Sequence, residues 1–149
     1  MKFVHKDITT IESPAVIAHG VNCQNAMGSG VARSLFEKWN KVKTEYHKFT
    51  NKTLGNVQFV CVDKNLYVAN CFTQENYGRD GKVYASVDAI DISIRKVCNF
   101  AKKSLFLPNV IHIPKIGCGL GGLDFDKDVV PILINIEEET KVDVVVCCY

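Results

Sequence analysis

The segment VIHIPKIGCGLGGL, residues 110–123, joins an apolar run of strand length to a loop rich in glycine. Four of the six residues from Gly117 to Gly122 are glycine, and ordering such flexible residues costs considerable chain entropy. That cost is reasonable where backbone N–H groups must surround an anion. A helix is predicted from Asp126 to about Glu139, so the loop lies between a strand and a helix, where parallel-sheet folds bind their ligands.

Two familiar nucleotide motifs do not explain this loop. Gly117, Gly119 and Gly122 satisfy G-x-G-x-x-G, but that fingerprint normally opens the first βαβ unit, and here it comes late in the chain. A Walker loop is excluded because no Lys followed by Ser or Thr completes it.

A second glycine-bearing loop, Asn22 to Gly30, follows the buried-strand pattern of Ala15 to Val21. Gly28 and Gly30 allow close approach of a ligand to the backbone. The helix that follows offers free N–H groups and a positive dipole end, which favour a phosphate. Asn22 supplies amide donors and a carbonyl acceptor for sugar hydroxyls. A simple glycine-rich turn with a polar cap is the alternative for this loop taken alone.

Around these loops, apolar strand-length runs alternate with helical periodicity, which predicts a single α/β domain over residues 1–149. The expected architecture is a three-layer α/β/α sandwich with a mixed, mostly parallel central sheet. The predicted strands lie at Phe3–Val4, 15–21, 57–62, 66–72, 110–113 and 142–147. One helix is expected from Gly30 with the apolar face Val31, Leu35, Trp39, Val42 and Tyr46, and another after the capping residue Ser86.

Composition restricts the function classes further. The net charge of +2 and scattered lysines argue against a dedicated duplex-DNA binder. Seven cysteines without a Cys-x-x-Cys pair indicate reduced thiols, no structural zinc site and a cytoplasmic, reducing location. No signal peptide and no membrane-spanning run is recognisable. We expect no metal, no cofactor, no membrane partner and a monomer.

Three segments together resemble the macrodomain family, whose members bind ADP-ribose: Asp7-Ile8-Thr9, Val21-Asn22 with its glycine loop, and Ile113 to Leu120. Lys6 stands where the family usually has glycine. The resemblance implies that Asp7 and Ile8 hold adenine, and it assigns Phe125 to the adenine or proximal ribose, with core packing as the alternative. It implies a distal-ribose and phosphate site at Gly28, Ser29, Gly30 and Val31, and a diphosphate loop at Ile116, Gly117, Cys118, Gly119, Leu120 and Gly121.

The resemblance also bears on the activity. The branch that removes ADP-ribose from glutamate or DNA uses a lysine and an aspartate, where this chain has Gln74 and Gly121. His19 stands three residues before Asn22, as in the yeast-type ADP-ribose 1″-phosphate phosphatase. The segment from Thr73 to Gly81 is similar to phage and bacterial members of that type, although Gln74 to Lys82 is predicted to be a polar surface loop. The resulting hypothesis is a phosphatase in which Asn22 orients the ribose and His19 acts as acid or base.

Other interpretations remain open at this point. His19 is alternatively a buried neutral histidine with a structural role. The protein is alternatively a mono-ADP-ribosyl hydrolase acting on modified protein or nucleic acid, a non-enzymatic ADP-ribose reader, or an RNA binder that uses the lysines between Lys38 and Lys52. Cys118 is a weak candidate nucleophile because no arginine follows it in the loop, and Asp124 is expected to cap a helix.

Overall fold

A six-stranded sheet runs through the structure, a computed structural model that describes residues 1–149. The strands are β1 (Lys2–His5), β2 (Ala15–Asn22), β3 (Val57–Asp63), β4 (Leu66–Gln74), β5 (Val110–Ile113) and β6 (Asp143–Cys148). Their order is β1-β6-β5-β2-β4-β3. All neighbouring strands are parallel except β3 and β4. The predicted mixed, mostly parallel sheet is confirmed.

Four helices cover the two faces of this sheet: α1 (Gly30–Lys38), α2 (Lys41–Lys48), α3 (Val87–Lys103) and α4 (Val130–Thr140). The larger core lies under α3 and α4, where Ile90, Ile94 and Ile111 are fully buried. The smaller core lies under α1 and α2 and includes Leu35 and Phe72. The three-layer prediction is therefore confirmed.

The single helix predicted after Gly30 is wrong, because the chain breaks between α1 and α2. Trp39 adopts an extended backbone, with φ −128° and ψ 95°, and ends α1. Leu35, Val42 and Tyr46 are nevertheless all buried, so the apolar spacing continues across the break. Periodicity alone therefore does not reveal it.

The predicted Ser86 cap of α3 and the predicted place of Pro131 in the first turn of a helix are confirmed. The Ser86 side chain accepts a hydrogen bond from the Ala89 N–H and caps α3. The helical turn before α4 is π-helical over Phe125–Val129, and Pro131 lies in the first turn of α4, where no N–H is needed. None of the helices combines the length and apolarity required to cross a bilayer.

Candidate ligand-binding cleft

The carboxyl ends of the parallel strands open into one elongated cleft with a volume of about 1390 Å³. Pockets that hold small ligands usually measure about 300–1,000 Å³, so this cleft has room for a ligand of dinucleotide size. The loops after β1, β2, β4 and β5 line it, as does the end of β6. The lining includes every site residue predicted from the sequence except Phe125.

Strand order sets the direction of the cleft. Asp7 follows β1 at one end, the loops after β5 and β2 lie in the middle, and the loop after β4 lies at the other end. Strands in a sheet are spaced about 4.8 Å apart, so the β1 and β4 positions are separated by about 19 Å. The cleft therefore offers two end regions and a central region to one extended ligand.

The central loop after β5 is shaped by glycine. Gly117 has φ +81°, and a Cβ atom on it would lie 2.9 Å from the Ile90 side chain. A Cβ on Gly121 would lie 2.6 Å from the Gly117 carbonyl oxygen. The aspartate that one macrodomain branch carries at this place would not fit the conformation of this loop.

Backbone donors in both glycine loops have no protein acceptor. In the loop after β5 these are the N–H groups of Gly117, Gly119, Leu120 and Gly121. In the loop after β2 they are the N–H groups of Gly28, Ser29, Gly30 and Val31, which lead into the first turn of α1. Two rows of free donors at the centre of a cleft form a binding surface for an anion.

Asn22 organises the loop after β2 from within. Its Oδ1 atom accepts hydrogen bonds from the Gln24 N–H, the Ala26 N–H and the Tyr46 hydroxyl, at 3.0, 3.3 and 3.0 Å. Its Nδ2 atom donates to the Ala26 carbonyl at 2.7 Å. The acceptor oxygen is fully engaged, so Asn22 has one amide proton left for a ligand.

Asp7 marks the β1 end of the cleft. One carboxylate oxygen accepts from the Thr9 N–H at 2.9 Å and from the Thr9 hydroxyl at 2.8 Å. The hydrogen bond from the Thr9 N–H is the main reason that the pKa of this carboxyl is lowered. The second oxygen has no partner in the protein, so an ionised acceptor is available beside Ile8.

His19 lies at the cleft floor but is 99% buried, with a relative exposure of 1%. Its Nε2 atom lies 2.5 Å from the Asn70 Oδ1 atom, and the Asn70 amide nitrogen donates to the Val42 carbonyl and to Gln58 Oε1. Burial lowers the pKa of the ring to about 4, so His19 is neutral near pH 7. Its Nδ1 atom has no hydrogen-bond partner.

The structure also decides between alternatives for three further side chains, Phe125, Cys118 and Asp124. Phe125 is 5% exposed and packs edge-on against Phe3 at a centroid distance of 6.2 Å, so its expected ligand contact is wrong and core packing holds. Burial, followed by the charge of Asp124, raises the pKa of the Cys118 thiol to about 11, which argues against a nucleophile. Asp124 accepts from the Lys127 N–H at 3.0 Å and caps the helical turn, as predicted.

The sequence interpretation missed the contribution of the segment after β4. The predicted polar surface loop from Gln74 to Lys82 sends Gln74, Tyr77, Gly78 and Arg79 to the cleft. Thr73, Gly20, Lys6 and Lys115 also line it. The position of this segment in the sheet could have indicated its role, because a segment that follows a central parallel strand emerges at the same edge as the glycine loops.

Comparisons with known proteins agree with this architecture. No family model matches the sequence. The chain is 28% identical over 133 residues to an uncharacterized 17.5 kDa protein of the tk–vs intergenic region of Enterobacteria phage T4, covering 85% of this chain and 83% of that protein. A crystal structure of a Bacteroides thetaiotaomicron protein has a TM-score of 0.86 and 28% identity, covering 99% of this chain and 98% of that one.

Two structures with lower identity have the same fold, and the first of them carries the macrodomain name. A macrodomain protein from Streptomyces coelicolor has a TM-score of 0.79 and 24% identity, with 99% of this chain and 98% of that chain covered. The Thermosipho africanus DarTG structure in complex with ADP-ribose has a TM-score of 0.71 and 18% identity, covering 91% of this chain and 38% of that one. The resemblance seen in the sequence is thus confirmed in three dimensions, and the chain has the macrodomain fold.

Proposed function

We propose that this protein binds ADP-ribose along the cleft. The observation that carries the proposal is the double row of free backbone N–H groups, from Gly28 to Val31 and from Gly117 to Gly121. Such donors match a diphosphate, which has acceptor oxygens on both phosphorus atoms. The structurally similar Thermosipho protein was solved with ADP-ribose, which supports the choice of ligand.

The two ends of the cleft set the orientation of the ligand. The free carboxylate oxygen of Asp7 is suited to accept from the adenine amino group, with Ile8 beside it. The diphosphate then lies over the loops after β5 and β2, and the distal ribose reaches the remaining amide proton of Asn22. This arrangement uses each predicted binding residue except Phe125.

We further propose that the cleft hydrolyses ADP-ribose 1″-phosphate. Water attacks phosphorus, the bond from phosphorus to the 1″ oxygen breaks, and that oxygen takes up a proton, giving ADP-ribose and inorganic phosphate. His19 is the candidate proton carrier because it lines the cleft floor and its Nδ1 lone pair, which is buried, has no protein partner. A bound phosphate dianion nearby raises the pKa of a histidine, which would bring the pKa of this buried ring closer to 7.

A lysine-dependent release of ADP-ribose from macromolecules is less well supported. The side chain at the end of β4 is Gln74, whose amide donates to the Asn76 carbonyl at 2.8 Å. Gly121 has no space for the aspartate of that mechanism. Removal of ADP-ribose from protein or nucleic acid would here depend on water positioned near Asn22.

The test is a calorimetric titration with ADP-ribose, followed by a phosphate-release assay on ADP-ribose 1″-phosphate. Binding together with phosphate release supports both proposals. Binding without release leaves a reader or a hydrolase of attached ADP-ribose, which ADP-ribosylated protein and DNA substrates separate. Absence of ADP-ribose binding contradicts the proposed function itself.

His19 is tested on the same two readouts. Replacement of His19 by Ala is expected to abolish phosphate release while ADP-ribose affinity is retained. Because the replacement removes a buried ring and leaves the Asn70 Oδ1 atom without its partner, circular dichroism and thermal melting must first show a folded variant. Turnover that survives in a folded His19→Ala protein assigns the ring a structural role.

A further inference from the structure

Arg79 is an unpaired cation at the β4 end of the cleft, opposite Asp7. Its guanidinium forms no ion pair and donates no hydrogen bond within the protein. The other two arginines of the chain, Arg33 and Arg95, do form ion pairs, each with a carboxylate four residues away along its helix. A guanidinium left free beside a cleft is suited to bidentate binding of a phosphate.

The loop that carries Arg79 is held at both sides of its tip. On one side, the Gln24 side chain donates to the Glu75 carbonyl and the Cys23 N–H donates to the Gln74 carbonyl. On the other side, the N–H groups of Tyr84 and Ala85 donate to the Gly121 carbonyl at 2.9 and 3.1 Å. The loop therefore bridges the two glycine loops and places Arg79 at their common end.

The acidic neighbour of Arg79 is already occupied. Both carboxylate oxygens of Asp80 lie 2.9 Å from the Tyr84 hydroxyl, and one also accepts from the Lys82 N–H at 3.1 Å. The Lys82 ammonium lies 3.8 Å from the same carboxylate. Gly78 allows this arrangement, because a Cβ on it would lie 2.5 Å from the Tyr84 hydroxyl oxygen.

A buried hydroxyl at the same end of the cleft floor also lacks a partner. Thr73 ends the buried part of β4, is 1% exposed, and its Oγ1 atom makes no hydrogen bond. It lies under Gly20, where a Cβ would approach the hydroxyl oxygen to 2.5 Å. This end of the cleft thus combines an exposed free cation with an unsatisfied hydroxyl buried beneath it, and the cation is the group that a ligand can reach.

We propose that Arg79 binds a terminal phosphate carried by the distal ribose, and that it gives the cleft its preference for a phosphorylated ligand. The inference rests on the proposed binding of ADP-ribose. The diphosphate is accounted for by the central backbone donors, so a cation beyond them serves an additional anion. The side chains that line the cleft include the cations Lys6, Lys115 and Arg79 and one acidic group, Asp7, and of these cations Arg79 belongs to the end farthest from Asp7.

The experiment compares two ligands on matched variants. ADP-ribose affinity is measured by calorimetry. Affinity for ADP-ribose 1″-phosphate is measured in a stopped-flow instrument, by displacement of a fluorescent ADP-ribose analogue before turnover. Arg79→Gln is expected to weaken the affinity for the phosphorylated ligand about tenfold, the effect of losing one charged hydrogen bond. ADP-ribose affinity should change less than about twofold, because the lost contact is absent from that ligand.

Two control variants sharpen the comparison. Arg33→Gln removes the same charge from α1, outside the cleft lining, and should behave as the wild type with both ligands. Arg79→Lys keeps the charge and loses the planar fork, so an intermediate preference is expected.

Each outcome decides the matter. Loss of preference in Arg79→Gln with unchanged ADP-ribose affinity supports the proposal. An unchanged preference overturns it while ADP-ribose binding stands, and so does equal weakening of both ligands, which would place Arg79 on the body of ADP-ribose. A wild-type protein that fails to bind ADP-ribose overturns the proposed function and this inference together.

Discussion

His19 Nε2 and Asn70 Oδ1 lie 2.5 Å apart, and this contact determines the state of the ring. The Asn70 amide nitrogen already donates to Val42 and Gln58, so the Asn70 oxygen must accept and His19 must carry its proton on Nε2. Nδ1 is then the unprotonated atom. The ring nitrogen with a free lone pair is the same atom that the structure leaves without a partner.

The depressed pKa of His19 predicts acid sensitivity. The folded-state pKa is about 4 against 6.5 for a free histidine, so the unfolded chain binds more protons between these values. The contribution of the neutral His19 ring to the free energy of unfolding is therefore present above pH 6.5 and is lost as the pH falls toward 4. We expect His19 to remove about 2 kcal/mol of the free energy of unfolding between pH 7 and pH 5.

Urea denaturation of the wild type and His19→Gln at both pH values isolates this contribution. The variant should be less stable at pH 7 but should lose less stability on acidification. His112, whose pKa burial also lowers, is present in both proteins and cancels in the difference. Equal losses in the two proteins would show that His19 is not the acid-sensitive group.

Gly121 and Gly119 make a matched pair in the loop after β5. A methyl group on Gly121 would approach the Gly117 carbonyl oxygen to 2.6 Å, whereas nothing lies within 4 Å of one on Gly119. Gly121→Ala should therefore lower the free energy of unfolding by about 1–3 kcal/mol. Gly119→Ala should change it by less than about 0.5 kcal/mol. Similar stabilities in urea would contradict the described loop conformation.

Thr73 and Thr140 test the cost of an unsatisfied hydroxyl. Thr73→Val removes a buried group without a hydrogen bond and should stabilise the protein by about 1 kcal/mol. Thr140 donates to the Ile136 carbonyl at 2.7 Å and accepts from the Val142 N–H at 3.3 Å, so Thr140→Val should destabilise it by about 1–2 kcal/mol. Thermal melting should show a raised melting temperature for Thr73→Val and a lowered one for Thr140→Val. A destabilised Thr73→Val protein would mean that the hydroxyl has a partner, such as a bound water.

Cys118 should be an unreactive thiol. Burial raises its pKa to about 11, so the thiolate that alkylating reagents attack is nearly absent at pH 8. Its alkylation by iodoacetamide, followed by peptide mass spectrometry, is expected to increase about tenfold for each pH unit between 8 and 10. The exposed Cys61 in the same sample reports reagent access. Rapid modification of Cys118 at pH 7 would show a reactive thiolate and would make Cys118 a nucleophile candidate again.

The sequence predicted those features that local patterns encode. Three predicted features each depend on a few neighbouring residues, and all are present in the structure. They are the apolar strand-length runs that alternate with helices, the Ser86 cap and the two glycine loops. The break at Trp39 was missed because helical periodicity continues across it. Phe125 was misplaced because an aromatic residue before a helix carries no signal that separates a core position from a ligand contact.

The residues missed at the site are those that tertiary structure brings in. Arg79 and Tyr77 belong to a polar segment without periodicity, and only the position of β4 beside β2 takes that segment to the cleft. The partner of His19 lies 51 residues away in the chain, so no spacing rule could have found Asn70.

The pairing of β1 with β6 has a consequence for the order of events during folding. β1 is an edge strand whose only partner is β6, and the Lys6 N–H donates to the Cys148 carbonyl. The end of the cleft at Asp7 is therefore assembled by closing the longest loop in the molecule, a slow step because long-range strand pairing is intrinsically slow. On the ribosome, an early segment must wait for the last strand to emerge. The complete cleft therefore exists only after β1 has paired with β6.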